Sequence, residues 1–195
     1  MIIGIDVDGV LADFNTAYMA LCINITAKDL FHPKPFEITT WHYPEAQGYT
    51  KTEIKTVWKH IAESRDFWHK LKPYPGVAGF LKYLSNLNNS DNDIYFITSR
   101  VGRTSQWQTM MWLSEFYVEP MVLISSEKGE CCHALGIEYY IDDKIENCVD
   151  VTLTNTKCYM LARPWNVQVP GIPRLNSLIE FMEVLKNVNT KQESV

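Results

Sequence analysis

The stretch from Ile2 to Phe14 limits what this chain can fold into more than any other part of the sequence. Apolar or small residues at positions 2 to 5 lead into Asp6 and Asp8, and Gly9 follows directly. This order predicts a short buried strand that ends in a tight turn carrying two carboxylates. Open α/β sheets place their chemistry at that end of the strands. The acid pair can supply a nucleophile with a proton donor, ligands for a hard cation, or both; the simpler alternative is a solvated turn.

The overall composition is that of an ordinary globular protein. Its 195 residues suffice for one buried core with an inserted subdomain. The net charge of -5 argues against binding to a nucleic acid polymer, which needs a basic face. No stretch reaches the ~20 apolar residues that span a bilayer, and the N-terminus does not read as a secretory signal. We therefore expect a cytoplasmic protein with no membrane partner. The five cysteines lack paired C-x-x-C spacing, which favours neither disulfides nor zinc.

From residue 76 onward the sequence alternates between helix and strand patterns. The helical patterns cover residues 77–87, 102–115, 127–135 and 175–185. The strand patterns cover residues 93–97, 121–124, 138–141 and 157–161. Such alternation implies a parallel sheet with right-handed crossovers, so the polar residues that follow the strands should meet at one edge. The predicted fold is α/β, with a Rossmann-like parallel sheet flanked by helices.

Residues 15–73 depart from this pattern and are predicted to form a small helical cap inserted after the first strand. Helices are expected over 15–25 and from Thr50 or Thr52 to Ile61, with Pro33 and Pro35 between them. The core would comprise residues 1–14 and 74–188, and residues 189–195 a flexible tail. Aromatic side chains here either form a small core or cover a flat ligand. They are Phe14, Phe36, Trp41, Phe67, Trp68 and Tyr74.

Four polar features should converge at the carboxyl edge of the sheet. They are Asp6 with Asp8, Thr98 with Ser99, Lys128, and Asp142 with Asp143. Four carboxylates in one cleft repel each other unless a divalent cation lies among them, and hard oxygen ligands favour Mg²⁺. Lys128 and a hydroxyl would bind an anion beside the metal. Together these residues describe a phosphoryl-transfer site, in which a carboxylate attacks phosphorus.

This order of motifs resembles the haloacid dehalogenase superfamily of phosphatases. Within that superfamily, three segments resemble the 5'(3')-deoxyribonucleotidases: residues 6–14, residues 67–76, and Arg163-Pro164-Trp165-Asn166. The similarity extends over most of the chain, and the first motif is its most specific part. The resemblance implies a haloacid dehalogenase-like core. It also implies Mg²⁺-dependent hydrolysis of (deoxy)nucleoside monophosphates to nucleoside and phosphate through an aspartyl-phosphate intermediate.

The resemblance further implies a role for each motif. Asp6 would be the nucleophile, and Asp8 would protonate the leaving nucleoside oxygen and then activate the hydrolytic water. Thr98, with Ser99 nearby, would bind the phosphoryl oxygens. Lys128 would neutralise the phosphate and orient Asp6.

The metal site that the resemblance implies consists of Asp6, the backbone carbonyl of Asp8 and the acidic pair. Asp143 is favoured as the direct ligand, with Asp142 as its neighbour. The residues expected to bind substrate include Arg100, although it stands where the animal enzymes have a proline. The candidates for stacking on a base are Phe14, Trp41, Phe67 and Trp68.

Two further functions are compatible with the sequence. The first keeps the chemistry but acts on a sugar phosphate or another small phosphoester. The second is a non-catalytic phospho-acceptor domain, because receiver domains also gather carboxylates, a hydroxyl and a lysine at strand ends, although in a different chain order. The sequence leaves open the preference for base and sugar and whether the phosphate is at the 5' or the 3' position. It also leaves open the oligomeric state, which includes the possibility of a homodimer.

Overall fold

The computed structural model describes residues 1–28, 37–88 and 92–192. Pro33, Pro35 and Phe36 lie outside the described residues, as do the last three residues of the predicted tail. Across the described ranges, no helix combines the length and the apolarity needed to cross a bilayer.

One parallel sheet forms the centre of the described structure. Its strands are β1 (Ile2–Ile5), β2 (Asp93–Thr98), β3 (Met121–Ile124), β4 (Tyr139–Asp142), β5 (Lys157–Leu161) and β6 (Arg174–Leu175). Their order across the sheet is β3-β2-β1-β4-β5-β6, and each neighbouring pair is parallel. Ile5 on β1 pairs with Phe96 on β2 and with Ile141 on β4. The carboxyl ends of these three strands therefore lie side by side, as the sequence predicts.

Eight helices accompany this sheet in the described ranges. They are α1 (Phe14–Thr26), α2 (Tyr43–Ala46), α3 (Lys51–Glu63), α4 (Val77–Asn88), α5 (Ser105–Leu113), α6 (Lys128–Leu135), α7 (Ile145–Thr152) and α8 (Leu178–Gln192). The inner strands are apolar because helices cover the sheet, and the buried apolar residues form one large and one smaller cluster. The predicted α/β fold with a Rossmann-like, helix-flanked sheet is confirmed.

Along the chain, helices α1, α2 and α3 come after β1 and before α4. They fall within the residues that the sequence predicts as the cap. Helix α1 packs against α3. Helix α3 begins with a capping box: the Glu53 N–H donates to the Thr50 hydroxyl at 3.3 Å, and the Thr50 N–H donates to the Glu53 carboxylate at 2.8 Å. Thr50 is therefore the N-cap.

The two chain segments that connect the core with the inserted helices run side by side. The Asp13 N–H donates to the carbonyl oxygen of Lys72 at 2.8 Å, and the Tyr74 N–H donates to the carbonyl oxygen of Leu11 at 2.9 Å. Asp13 also caps α1, because its Oδ1 accepts a hydrogen bond from the Thr16 N–H at 3.2 Å. The outgoing and returning segments are thus fixed to each other directly beside the first motif.

Several helix boundaries differ from the prediction. Helix α5 begins at Ser105, because Gly102 has a φ of +107° that cannot belong to a helix. Helix α8 continues to Gln192, because no glycine or proline follows Leu185 to end it, so residues 189–192 of the predicted flexible tail are helical.

Candidate active site

Asp6 lies at the centre of the carboxyl edge of the sheet. Its N–H donates to the carbonyl oxygen of Ile141 at 3.0 Å, which continues the pairing of β1 with β4. Its carboxylate is buried, and Nζ of Lys128 donates to its Oδ1 at 2.8 Å. Lys128, the first residue of α6, is fully buried and also donates to the carbonyl oxygen of Ile97. Lys128, 122 positions from Asp6 in the chain, is therefore its direct partner.

The turn after Asp8 depends on Gly9. Its φ is +85°, and a Cβ at this position would lie 2.2 Å from Oδ2 of Asp143. Glycine is required here both for the left-handed conformation and for the close approach. The backbone of the first motif thus packs directly against the second carboxylate of the acidic pair.

The two residues of the acidic pair at the end of β4 have different surroundings. The Asp142 carboxylate accepts from the Tyr140 hydroxyl at 2.9 Å, the Asn147 amide at 3.0 Å and the Lys144 N–H at 2.8 Å. The Asp143 carboxylate accepts from the indole N–H of Trp165 at 2.6 Å. Three donors from β4, α7 and the residue before α7 therefore orient Asp142, whereas a residue beyond β5 orients Asp143.

Asp6, Asp142 and Asp143 form a buried acidic cluster. One carboxylate oxygen of each lies within 4.8 Å of the others. Burial raises the pKa of Asp6 well above its ordinary value, the charge of Asp142 raises this pKa further, and Lys128 lowers it. Burial and the charge of Asp142 also raise the pKa of Asp143 to about 8, against the lowering effect of Trp165. Lys128 neutralises only one of the three buried carboxylates. Their oxygen atoms therefore suit a divalent cation that prefers oxygen ligands.

The carboxylate of Asp8 does not join this cluster. Nε of Arg100 donates to its Oδ2 at 3.0 Å and Nη2 of Arg100 donates to its Oδ1 at 2.9 Å, while the Thr98 hydroxyl donates to Oδ2 at 3.2 Å. The Arg100 side chain has no exposed surface, and 21% of the Asp8 side chain remains exposed. Arg100, which also lines the cleft, is therefore paired with Asp8, and its contact with a substrate stays a prediction.

A cleft of about 280 Å³ lies between the strand ends and the inserted helices. Its core side contains Asp6, Asp8, Thr98, Ser99, Arg100, Asp142 and Asp143. Its aromatic side contains Phe14, Tyr18, Trp41, Tyr43, Trp58 and Trp68. The predicted residues Phe14, Trp41 and Trp68 are therefore in the cleft. Phe67 is not among the lining residues, because its ring packs edge-on against Trp68, with 5.0 Å between centroids.

Phe14 is the centre of the aromatic side of the cleft. Its ring stacks with Tyr18 at 5.2 Å, with Trp58 at 5.7 Å and with Trp68 at 5.6 Å between centroids. Tyr18 and Trp58 are not among the residues that the sequence predicts for base stacking. The i to i+4 spacing of Phe14 and Tyr18 on one helix was the signal that could have placed Tyr18 beside the candidate site.

The segment after β5 fixes both acidic motifs in place. Nε of Arg163 donates to the carbonyl oxygen of Gly9 at 2.6 Å, and the Asn166 amide donates to the carbonyl oxygen of Asp143 at 2.7 Å. Together with Trp165, these side chains hold the first and the last motif at a constant separation. The resemblance singled out this segment without assigning it a role.

Comparison with known proteins identifies the family of this chain. A sequence profile of the family described as "5' nucleotidase, deoxy (Pyrimidine), cytosolic type C protein" covers residues 1–193. The chain belongs to this nucleotidase family. The resemblance inferred from the motifs is confirmed, and this member of the family is a phosphoric monoester hydrolase of the 5'-nucleotidase type.

Individual relatives of this nucleotidase-family chain are distant in sequence. A curated Oceanobacillus iheyensis protein that carries the name of a nucleotidase is 27% identical over 145 residues, which are 71% of this chain and 74% of that protein. A haloacid dehalogenase (HAD) family hydrolase of Deinococcus radiodurans, solved with phosphate and sodium, has a TM-score of 0.64 at 13% identity and covers 96% of this chain and 95% of its own. The Bacillus subtilis protein YfnB, described as a HAD hydrolase bound to magnesium, has a TM-score of 0.61 at 16% identity, with coverages of 94% and 97%. These two structures confirm the fold.

Proposed function

We propose that this nucleotidase-family chain hydrolyses deoxynucleoside or ribonucleoside monophosphates to nucleoside and phosphate in a Mg²⁺-dependent reaction. The observation that carries the proposal is the buried Asp6 carboxylate, which Lys128 holds at 2.8 Å at the base of an aromatic-walled cleft. A nucleotide places a phosphate and a flat base at opposite ends of one small molecule. The cleft offers a matching carboxylate end and aromatic end.

Asp6 is the proposed nucleophile. With Oδ1 accepting from Lys128, a carboxylate oxygen of Asp6 attacks phosphorus, the bond from phosphorus to the nucleoside oxygen breaks, and an aspartyl-phosphate forms. The ammonium group of Lys128 stabilises the negative charge in this region. Thr98 and Ser99 lie on the same side of the cleft and are the proposed partners of the phosphoryl oxygens.

Asp8 is the proposed general acid and base. Its partly exposed carboxyl group lines the cleft beside Asp6, and in its protonated form it gives a proton to the departing nucleoside oxygen. It then accepts a proton from the water that hydrolyses the aspartyl-phosphate. The two carboxyl groups thus have separate tasks, which agrees with their separate partners, Lys128 and Arg100.

The acidic cluster would hold the metal. Asp6, Asp142 and Asp143 supply carboxylate oxygens, and by resemblance the backbone carbonyl of Asp8 would join them. When bound, Mg²⁺ supplies positive charge to the phosphoryl oxygens. The magnesium described for YfnB and the phosphate described for the Deinococcus protein support this assignment on a shared fold.

The family description supports a deoxynucleotide substrate with a pyrimidine base and a cytoplasmic location, which we propose for this chain. Phe14, Trp41 and Trp68 are the proposed contacts of the base.

Phosphate release from a panel of nucleotides and sugar phosphates, with and without Mg²⁺, tests the proposed function. We expect metal-dependent release that is fastest with nucleotides. The Asp6→Asn variant should lose activity while its circular dichroism spectrum shows an intact fold, whereas Asp93→Asn, at an exposed strand residue, should stay active. Substantial activity of Asp6→Asn would contradict the nucleophile. Release only from sugar phosphates would contradict the base pocket, and stable phosphorylation without turnover would indicate a phospho-acceptor domain instead.

A further inference from the structure

The guanidinium group of Arg100 is committed to partners within the protein. Nε donates to both carboxylate oxygens of Asp8, at 3.0 and 3.3 Å, and Nη2 donates to Oδ1 at 2.9 Å. Nη1 donates to the hydroxyl of Thr109 on α5 at 3.0 Å. The side chain has no exposed surface. Arg100 lies at the wall of the cleft, but Nε and Nη2 of its guanidinium are directed at the carboxylate of Asp8.

Two indole rings lie against the same guanidinium. Its central carbon lies 5.0 Å from the ring centroid of Trp68 and 5.9 Å from that of Trp112. Both indoles are themselves anchored, because Trp68 donates to the carbonyl oxygen of Val101 at 2.9 Å and Trp112 donates to that of Leu71 at 2.7 Å. The position of Arg100 is therefore set by the segment that returns from the cap and by α5.

We propose that Arg100 is a positioning residue for Asp8 and not a phosphate-binding residue. The planar, forked guanidinium fixes the direction of the Asp8 carboxyl group as well as its place, which the point charge of a lysine cannot do. This inference rests on the proposed function, in which Asp8 transfers a proton. As the bond from phosphorus to oxygen breaks, the proton passes from Asp8 to the leaving oxygen, and the negative charge that develops on Asp8 is stabilised by its pair with Arg100.

Leaving groups of different basicity separate positioning from phosphate binding. The alkoxide of a nucleoside needs a proton as it departs, whereas p-nitrophenolate departs without one. We would measure kcat/KM for a deoxynucleoside monophosphate and for p-nitrophenyl phosphate, together with inhibition by inorganic phosphate, for the wild type and Arg100→Gln. The matched control is Arg103→Gln, at an exposed arginine in the same loop.

We expect Arg100→Gln to lower kcat/KM for the nucleotide on the order of 10²-fold and for p-nitrophenyl phosphate less than about tenfold. Inhibition by phosphate should be unchanged, and Arg103→Gln should match the wild type. Arg100→Lys keeps the charge but loses the fork, so it should recover only part of the activity. Equal losses on both substrates would overturn the proposal. Weaker inhibition by phosphate would then show that Arg100 binds phosphate, and unchanged inhibition would show that its role is only structural.

Two additions keep the experiment decisive. If Arg100→Gln does not fold, Thr109→Val removes the partner of Nη1 alone, and a smaller loss with the same leaving-group bias is expected. If the wild type hydrolyses p-nitrophenyl phosphate but no nucleotide, the proposed substrate is wrong. The comparison then uses a sugar phosphate, whose alkoxide also needs a proton, so the role of Arg100 is tested independently of the base.

Discussion

The indole N–H of Trp165 donates a hydrogen bond of 2.6 Å to Oδ2 of Asp143. The same indole lies 6.5 Å from the ring of Trp41, which lines the cleft from the cap side. Trp165 therefore contacts both the acidic cluster and Trp41 of the inserted segment. Its N–H favours the charged form of Asp143, the form that can bind a cation.

Replacing Trp165 with phenylalanine should weaken metal binding. The variant keeps an aromatic ring near Trp41 but removes the donor to Asp143, and the loss of such an outer partner costs about 10- to 100-fold in metal affinity or activity. We expect a higher Mg²⁺ concentration for half-maximal phosphate release. Trp107→Phe, at a tryptophan that is 56% exposed on α5, is the control. An unchanged Mg²⁺ dependence in Trp165→Phe would contradict this role.

A methyl group at Gly9 should displace Asp143. The new Cβ would lie 2.2 Å from Oδ2 of Asp143, and the φ of +85° is unfavourable for alanine by ~1–2 kcal/mol. Gly9→Ala should therefore lower both the melting temperature and kcat, the latter on the order of 10²-fold. Gly79→Ala is the matched control, because nothing lies within 4 Å of its Cβ position on α4. It should be neutral or slightly stabilising, and similar behaviour of the two variants would refute the explanation.

The metal-free protein should become less stable as the pH rises. The pKa of Asp143 is about 8 in the folded chain against an ordinary value of 3.8, so the folded state binds this proton more tightly than the unfolded state. The free energy of unfolding therefore falls between about pH 4 and about pH 8. The raised pKa values of Asp6 and Asp142 act in the same direction. Thermal unfolding in a chelator should give a lower melting temperature at about pH 8 than at about pH 5.5.

Mg²⁺ should counteract this loss. At 100 times its dissociation constant the ion adds about 2.7 kcal/mol, which is about 5 to 10 °C for a chain of this size. The increase should be larger at the higher pH, where fewer protons compete for the carboxylates. Asp143→Asn should flatten the pH dependence and reduce the response to Mg²⁺. A melting temperature that does not depend on pH without metal would show that these carboxyl groups do not bind protons as described.

Local patterns were sufficient to predict five strands of the sheet and the residues at its edge, whereas β6 was missed and its Leu175 was assigned to the last helix. Asp6 was recognisable because an apolar run leads into it and Gly9 follows Asp8. The helical pattern of residues 127–135 is followed by Gly136, which ends α6 in the left-handed conformation with a φ of +65°. In each case the deciding interaction is between residues a few positions apart.

Contacts between distant residues were not predictable in this way. Asp8 and Arg100 are 92 positions apart, and no local pattern shows which of several charged residues will pair. Helix α7 (Ile145–Thr152) was missed for a related reason. Its eight residues include four β-branched ones, which are weak helix formers, and its stability comes from burying Cys148 and Val151.

The hydrogen bond between the Asp13 N–H and the carbonyl oxygen of Lys72 closes the polypeptide below the insertion. The residues between Asp13 and Lys72 therefore form one long connection between two elements of the core, and its two ends are already joined. Changing the length of such a loop costs little additional entropy. Evolution or protein engineering can therefore change the segment between these two fixed points, and with it the range of molecules admitted, as long as Trp68 and Leu71 are kept to hold Arg100 and Trp112 in place.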